Sequence, residues 1–366
     1  MDQRIQNLAK KIVNYSCYIQ PGENVFIEVF GKNLRLGLAI IDEVYAAGGN
    51  PFFELRHDAV TDHIIKNCSS EQMELLAKLD LDRLKNMDAY IIIRSSYDSE
   101  LDFEVPFEQV QKYNLNYMKV HQYRRQSMKW FASEFPNERS AKKANTSLEQ
   151  LESIYLNACN ADYEMMSEAA DSLLEVMRKT DKVHLVGPGT DLTFSIAGIP
   201  SEKSVGKLNL PDGEIWSAPV RNSVNGMITY NTVAEYAGHT FENIRFSFQN
   251  GKIVEAECNN SELLNKILDT DEGARYIGEF AISVNPYITS SMNNIAYDEK
   301  IFGSIHLTPG NAYPNTDNGN RSAIHWDLVW IQRPEYGGGE IWFDDVLIRK
   351  DGLFVLDSMK KLNELK

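Results

Sequence analysis

The residues with the clearest chemical content are His325 and Asp327. They flank Trp326 in the run Ser-Ala-Ile-His-Trp-Asp-Leu-Val-Trp, from Ser322 to Trp330. The run is rich in apolar and aromatic residues and reads as a strand. Side chains alternate along a strand, so His325 and Asp327 fall on one face. Ile324, Trp326, Leu328 and Trp330 fall on the other, which is apolar throughout. An imidazole and a carboxylate projecting together from an anchored element can hold a divalent metal or orient a catalytic base.

Further candidates lie upstream. His306 sits in the strand-like run Ile-Phe-Gly-Ser-Ile-His-Leu-Thr, with Tyr313 beyond a Pro-Gly turn. Glu214 follows the turn Asn-Leu-Pro-Asp-Gly. Glu279 lies within the apolar run Tyr-Ile-Gly-Glu-Phe-Ala-Ile, where a carboxylate needs a cation, a proton or an exit to solvent. Together Glu214, Glu279, His306, His325 and Asp327 form a nitrogen-and-oxygen donor set suited to zinc, cobalt or manganese. Five donors exceed what one open tetrahedral site requires, and a bridging carboxylate between two metals would use them all. A rival subset exists. His306, His325 and Asp327 alone match the two-histidine, one-carboxylate pattern of mononuclear iron(II) oxygenases.

The elements that must carry these residues divide in two. Before about residue 180, helices alternate with short strands. Arg4 to Tyr18, Leu34 to Ala47 and Ser70 to Leu84 read as helices, and Val25 to Phe30, Phe52 to Leu55 and Ala89 to Ile93 as strands. Such alternation predicts an α/β domain with a mainly parallel sheet. Two helices are expected between Ser147 and Lys179. Beyond residue 180 strand-like runs punctuated by Pro, Gly and Asn-Gly turns predict a β-rich α+β domain. The expected domains are therefore residues 1–180 and 181–366, with every strong candidate in the second.

Composition narrows the function classes. The 366 residues are 43% hydrophobic and 24% charged, with a net charge of −15. That balance suits a soluble globular protein and argues against nucleic-acid or anionic-membrane partners. Cys17, Cys68, Cys159 and Cys258 lack ligand-like spacing and read as thiols in a reducing compartment. No apolar run is long enough to span a membrane, and the first residues lack a signal-peptide core, so a cytoplasmic location is expected. Gly187-Pro188-Gly189 lacks the third glycine of a dinucleotide loop, and Gly337 to Gly339 precedes another strand, so both read as turns. Neither a G-x-S-x-G elbow nor an H-E-x-x-H helix is present.

At these residues the chain resembles the M29 metallopeptidases, the aminopeptidase T and aminopeptidase S family. The matching segments begin at Gly187 (Gly-Pro-Gly-Thr-Asp-Leu-Thr-Phe), Leu208 (Leu-Asn-Leu-Pro-Asp-Gly-Glu-Ile-Trp), Glu272, Tyr297 and Ser322, with a further likeness from Leu8 to Val25. The resemblance implies a metal-dependent aminopeptidase that removes N-terminal residues from peptides. It implies two divalent metals, and a homodimer enclosing the active sites. By position, Glu214, Glu279, His306, His325 and Asp327 would be metal ligands, and Tyr313 the catalytic tyrosine. Glu299 would be a further acidic ligand, in a stretch that departs from the family pattern by carrying Lys300 and extra residues before His306. Glu214 or Glu279 would accept the proton of the attacking water. Ring-cleaving dihydroxypyridine dioxygenases resemble the same fold family, which keeps the iron alternative in view.

Overall fold

A computed structural model of the chain describes residues 2–31, 34–95 and 105–366. The chain forms two compact units, one of residues 1–160 with 206–210, the other of 161–205 with 211–366.

The first unit is built on a five-stranded sheet. Its strand order is Asn50–Arg56, Asn24–Phe30, Ala89–Ser95, Lys129–Phe135 and Asn209–Leu210, and every pairing is parallel. Val25 to Val29 and Ala89 to Ile93 are buried without interruption, as strands covered on both faces must be. The helices Leu34–Ala46 and Ser70–Leu84 lie where the sequence places them. Ser69 caps the latter by accepting a hydrogen bond from the Gln72 amide at 3.1 Å. The N-terminal helix is regular over Gln3–Lys11 and finishes in a wider π turn, Ile12–Ser16. Helices Asp58–Asn67 and Phe107–Ser127 and the strand Lys129–Phe135 complete the alternation, in stretches where the residue pattern is weak.

The division between units differs from the expected residue 180. Helix Tyr163–Met177 belongs to the second unit. Its Tyr163 hydroxyl accepts from the Asp212 amide at 2.9 Å, and Asp171 pairs with Lys203 at 2.6 Å. A change of local texture marks where strands begin, whereas packing decides which core a helix joins.

The second unit holds an eight-stranded antiparallel sheet, a small hairpin (Ala234–Tyr236 with His239–Phe241) and a five-stranded antiparallel sheet. Pro188 and Gly189 form the turn between antiparallel strands Lys182–Gly187 and Thr190–Ser195, not a phosphate loop. The five-stranded sheet runs Val329–Ile331, Ser304–Pro309, Ile277–Ser283, Glu214–Ser217 and Glu202–Ser204. Ile277–Ser283 and Ser304–Pro309 are buried along their whole length.

One expectation needs correcting. Ser322 to Trp330 is not a continuous strand, since regular pairing covers only Val329–Ile331. Upstream, His325 makes a single bridge to Gly310. The alternation nevertheless survives, with Ile324, Trp326 and Leu328 buried and His325 and Asp327 partly open. The Ile324 carbonyl accepts from the Asn311 amide and the Trp326 amide donates to Pro309, so the segment follows the neighbouring strand without a full ladder. A Cβ on Gly310, at φ +113°, would lie 2.2 Å from the Ile324 carbonyl oxygen, so glycine permits this close approach.

Among the described residues no helix is long and apolar enough to cross a membrane. All four cysteines are free thiols. Cys17, Cys68 and Cys159 are buried and Cys258 is half-buried.

Candidate metal centre

The sheet register assembles the site. Ala281 lies opposite both His306 and Trp216, Ser283 opposite Glu214, and Glu279 opposite Thr308. Residues two apart on Ile277–Ser283 share a face, so Glu279, Ala281 and Ser283 put their neighbours Glu214 and His306 on that same face. The small side chains at 281 and 283 leave room between the three large polar ones. The Ser283 hydroxyl donates to the Glu299 carbonyl, tying the turn that bears Glu299 and Lys300 to the sheet.

The structure brings the candidate residues together. Glu279 is 4% exposed, and its carboxylate spans the two histidines. Oε1 lies 3.6 Å from His306 Nε2, and Oε2 lies 3.2 Å from His325 Nε2. Asp327 Oδ1 lies 3.4 Å from His325 Nε2, and Glu214 Oε2 lies 3.6 Å from His306 Nε2. Tyr313 stands at the rim, 44% exposed, its ring edge-on to His325 at 4.7 Å and to Trp216 at 5.3 Å. Glu299 faces Lys300 at 3.1 Å.

Several supporting residues were not visible from the sequence. The Asn311 carbonyl accepts from His325 Nδ1 at 2.8 Å, which leaves Nε2 as the inward-facing donor atom. Thr308 donates to Asp327 Oδ1 at 2.6 Å. Thr308 stands two residues from His306, so strand period alone could have singled it out. Asn311 acts through its backbone, for which the side-chain pattern carries no signal. Trp326 anchors the segment from behind, packed 5.1 Å from both Tyr236 and Phe241.

The fit to a metal rests on atoms left unsatisfied. Glu214 Oε2 and His325 Nε2 are buried yet make no hydrogen bond to the described residues, despite close carboxylate and imidazole neighbours. Such groups are costly to bury. Donor atoms of Glu279, His325 and Asp327 all lie within 4.8 Å of one another, as ligands around one ion would.

The electrostatics agree. Burial opposes the charged imidazolium at both histidines, but carboxylates outweigh it: Glu279 and Glu214 raise His306 to about 9, and Asp327 and Glu279 raise His325 to about 11. Burial pushes Glu214 up to about 8 against the pull of Lys300. Glu279 and Asp327 stay below the usual carboxylate range, because the histidines more than offset their burial. Burial and the surrounding carboxylates keep the Tyr313 hydroxyl protonated. Protons thus stand where a doubly charged ion would bind more strongly.

Buried carboxylates and histidines converging on one face of an antiparallel sheet, in a chain with a separate parallel α/β unit, mark a recognisable class. The family model of the thermophilic metalloproteases (M29) matches residues 1–336, and the chain belongs to that family. Aminopeptidase AmpS of Bacillus subtilis (strain 168) is 31% identical over 178 residues, covering 45% of this chain and 42% of the relative. The match thus spans less than half of that relative's length. Among solved structures, wild-type AmpT from Thermus thermophilus superposes with a TM-score of 0.80 at 19% identity, covering 97% of this chain and 99% of that one. The 2,5-dihydroxypyridine dioxygenase of Pseudomonas putida KT2440 shares the fold more distantly, with a TM-score of 0.61 at 11% identity over 98% of this chain and 99% of its own.

Proposed function

We propose that the protein is a metal-dependent aminopeptidase that hydrolyses the first bond of peptides bearing a free N-terminus. The observation that carries this reading is the Glu279 carboxylate divided between His306 and His325. A mononuclear two-histidine, one-carboxylate site has no use for a second buried acid between its histidines. Two adjoining divalent ions do, because one carboxylate can bridge them.

One ion would be held by Glu279, His325 and Asp327, and a second by Glu279, His306 and Glu214, with Glu299 nearby. Charge supports a pair. Lys300 pairs with Glu214 and Glu299, while Glu279 and Asp327 are balanced only by the imidazoles of His306 and His325, which must give up their protons to ligate, so divalent ions would take over that charge. Zinc, cobalt or manganese suits these donors. A divalent ion here supplies a Lewis acid for the scissile carbonyl and a water of lowered pKa.

The chain's own residues supply the rest. Glu214 or Glu279, both beside the histidines, can take a proton from the attacking water and return it to the leaving amine. Tyr313 stays protonated and stands beside His325, where its hydroxyl can donate to the developing oxyanion. The surplus of acids attracts the substrate's α-ammonium group. We also infer a cytoplasmic location and a homodimer, on the strength of the composition and the family resemblance.

Hydrolysis of a panel of aminoacyl anilides, with and without N-acetylation, tests the reading. Turnover of free-amine substrates, lost on chelation and restored by zinc, cobalt or manganese, is expected. Oxygen consumption on a dihydroxypyridine by an iron-loaded sample, without hydrolysis, would overturn it.

A further inference from the structure

The two halves of the site differ in one respect that the donor set alone does not explain. Lys300 is buried, at 2% exposure, on the Glu214 side. Its Nζ lies 2.6 Å from Glu214 Oε1, 3.1 Å from Glu299 Oε1 and 3.5 Å from Asp212 Oδ1. No corresponding cation touches Glu279, His325 or Asp327 among the described contacts; their polar neighbours are the histidines, Thr308 and the Asn311 carbonyl. Asp212 is held by its own loop, accepting from the Gly213 amide at 2.9 Å. The Ser283 hydroxyl fixes the Glu299 carbonyl beside it. Lys300 is therefore a built part of the site, clamped by carboxylates on a turn pinned to the sheet.

We propose that Lys300 makes the two metal positions unequal: the Glu279–His325–Asp327 position binds a divalent ion tightly, and the Glu214–His306 position binds one weakly and exchangeably. This inference rests on the metal-dependent reading above. An ammonium bonded to one oxygen of Glu214 offsets part of what an incoming ion would gain there. It also repels a dication a few ångströms away, an effect scarcely screened in a buried site. The position around Asp327 meets neither penalty. A lysine cannot leave with the solvent, so it acts as a permanent partial substitute for the second ion.

The test is a zinc titration of metal-stripped protein, followed by calorimetry and by metal content per chain after buffer exchange. The wild-type chain should bind in two steps separated by at least about a hundredfold in affinity. It should retain one ion per chain after exchange. Lys300→Met should tighten the weak step at least about tenfold and narrow the gap, whereas Lys300→Arg, which keeps the charge, should preserve it. Should Lys300→Met fail to fold, Glu214→Gln serves instead. It should abolish the weak step and leave the tight one within about threefold. Two equal tight steps in the wild-type chain, or an unchanged gap in Lys300→Met, would overturn the inference while leaving the aminopeptidase reading intact. Absence of any zinc binding would overturn both.

Discussion

Each unit of this protein gathers a cluster of acids around buried positions, and the two clusters are satisfied in different ways. In the first unit Arg56 lies between Glu28 at 2.6 Å, Glu54 at 2.8 Å and Asp80 at 3.5 Å. Arg83 also pairs with Glu54, and the hydroxyls of Tyr90 and Tyr117 donate to Glu28 and Asp80. Guanidinium forks and phenols complete the carboxylates, as a structural ion cluster requires. In the second unit Lys300 reaches Glu214 and Glu299 but not Glu279 or Asp327, whose oxygens face the imidazole nitrogens of His306 and His325 at 3.2–3.6 Å. Buried charge by itself is no mark of a functional site. What distinguishes the second cluster is that metal-ligating atoms converge there while some of them, Glu214 Oε2 and His325 Nε2, are buried without a hydrogen bond.

The comparison breaks most visibly at His325. His325→Ala should remove the ion shared with Glu279 and Asp327 and lower kcat/KM by at least about 10³, since a metal Lewis acid contributes several kcal/mol. Elemental analysis and anilide hydrolysis measure both, with circular dichroism to confirm folding. Unchanged metal content and activity would assign the second cluster to structure, like the first. Arg56→Met should do the reverse. It leaves acids of the first cluster uncompensated and should cost about 3–5 kcal/mol in urea unfolding, with metal content per folded chain unaltered. Tyr313→Phe should keep its metal and lose about 10²–10³ in kcat, with little change in KM, if the hydroxyl stabilises the oxyanion.

Two smaller effects sharpen the contrast. Metal uptake near pH 7 should release protons, because His306 and His325 hold theirs up to about 9 and 11 in the metal-free site and must lose them to ligate. Uptake should therefore weaken as pH falls, which calorimetry in buffers of different ionisation enthalpy measures. Thr308→Val removes the donor to Asp327 and should weaken the tight ion about 10–100-fold.

The sequence made some of this legible and hid the rest, for physical reasons. Helix Ser70–Leu84 is readable to the residue because its start signal, the Ser69 cap, is local. Helix Phe107–Ser127 is not, since Val110, Leu115 and Met118 are exposed and its apolar residues mark no single face. The alternation in Ser322 to Trp330 identified which side chains share a face, but ladder pairing depends on the Gly310 turn, which that run does not contain. Helix Tyr163–Met177 joined the second unit through partners more than thirty residues away at Asp212. Residue types suggested a donor set at Glu214, Glu279, His306, His325 and Asp327. The division of Glu279 between two histidines and the place of Lys300 depend on strand register, which only the assembled sheet supplies.

The most direct test is crystallographic. Anomalous scattering from a zinc-soaked crystal should show an ion bonded to Glu279, His325 and Asp327 at about 2.0–2.2 Å, with a weaker peak, if any, between His306 and Glu214. A strong anomalous peak away from these residues, with the Glu279–His325–Asp327 position empty, would contradict the account.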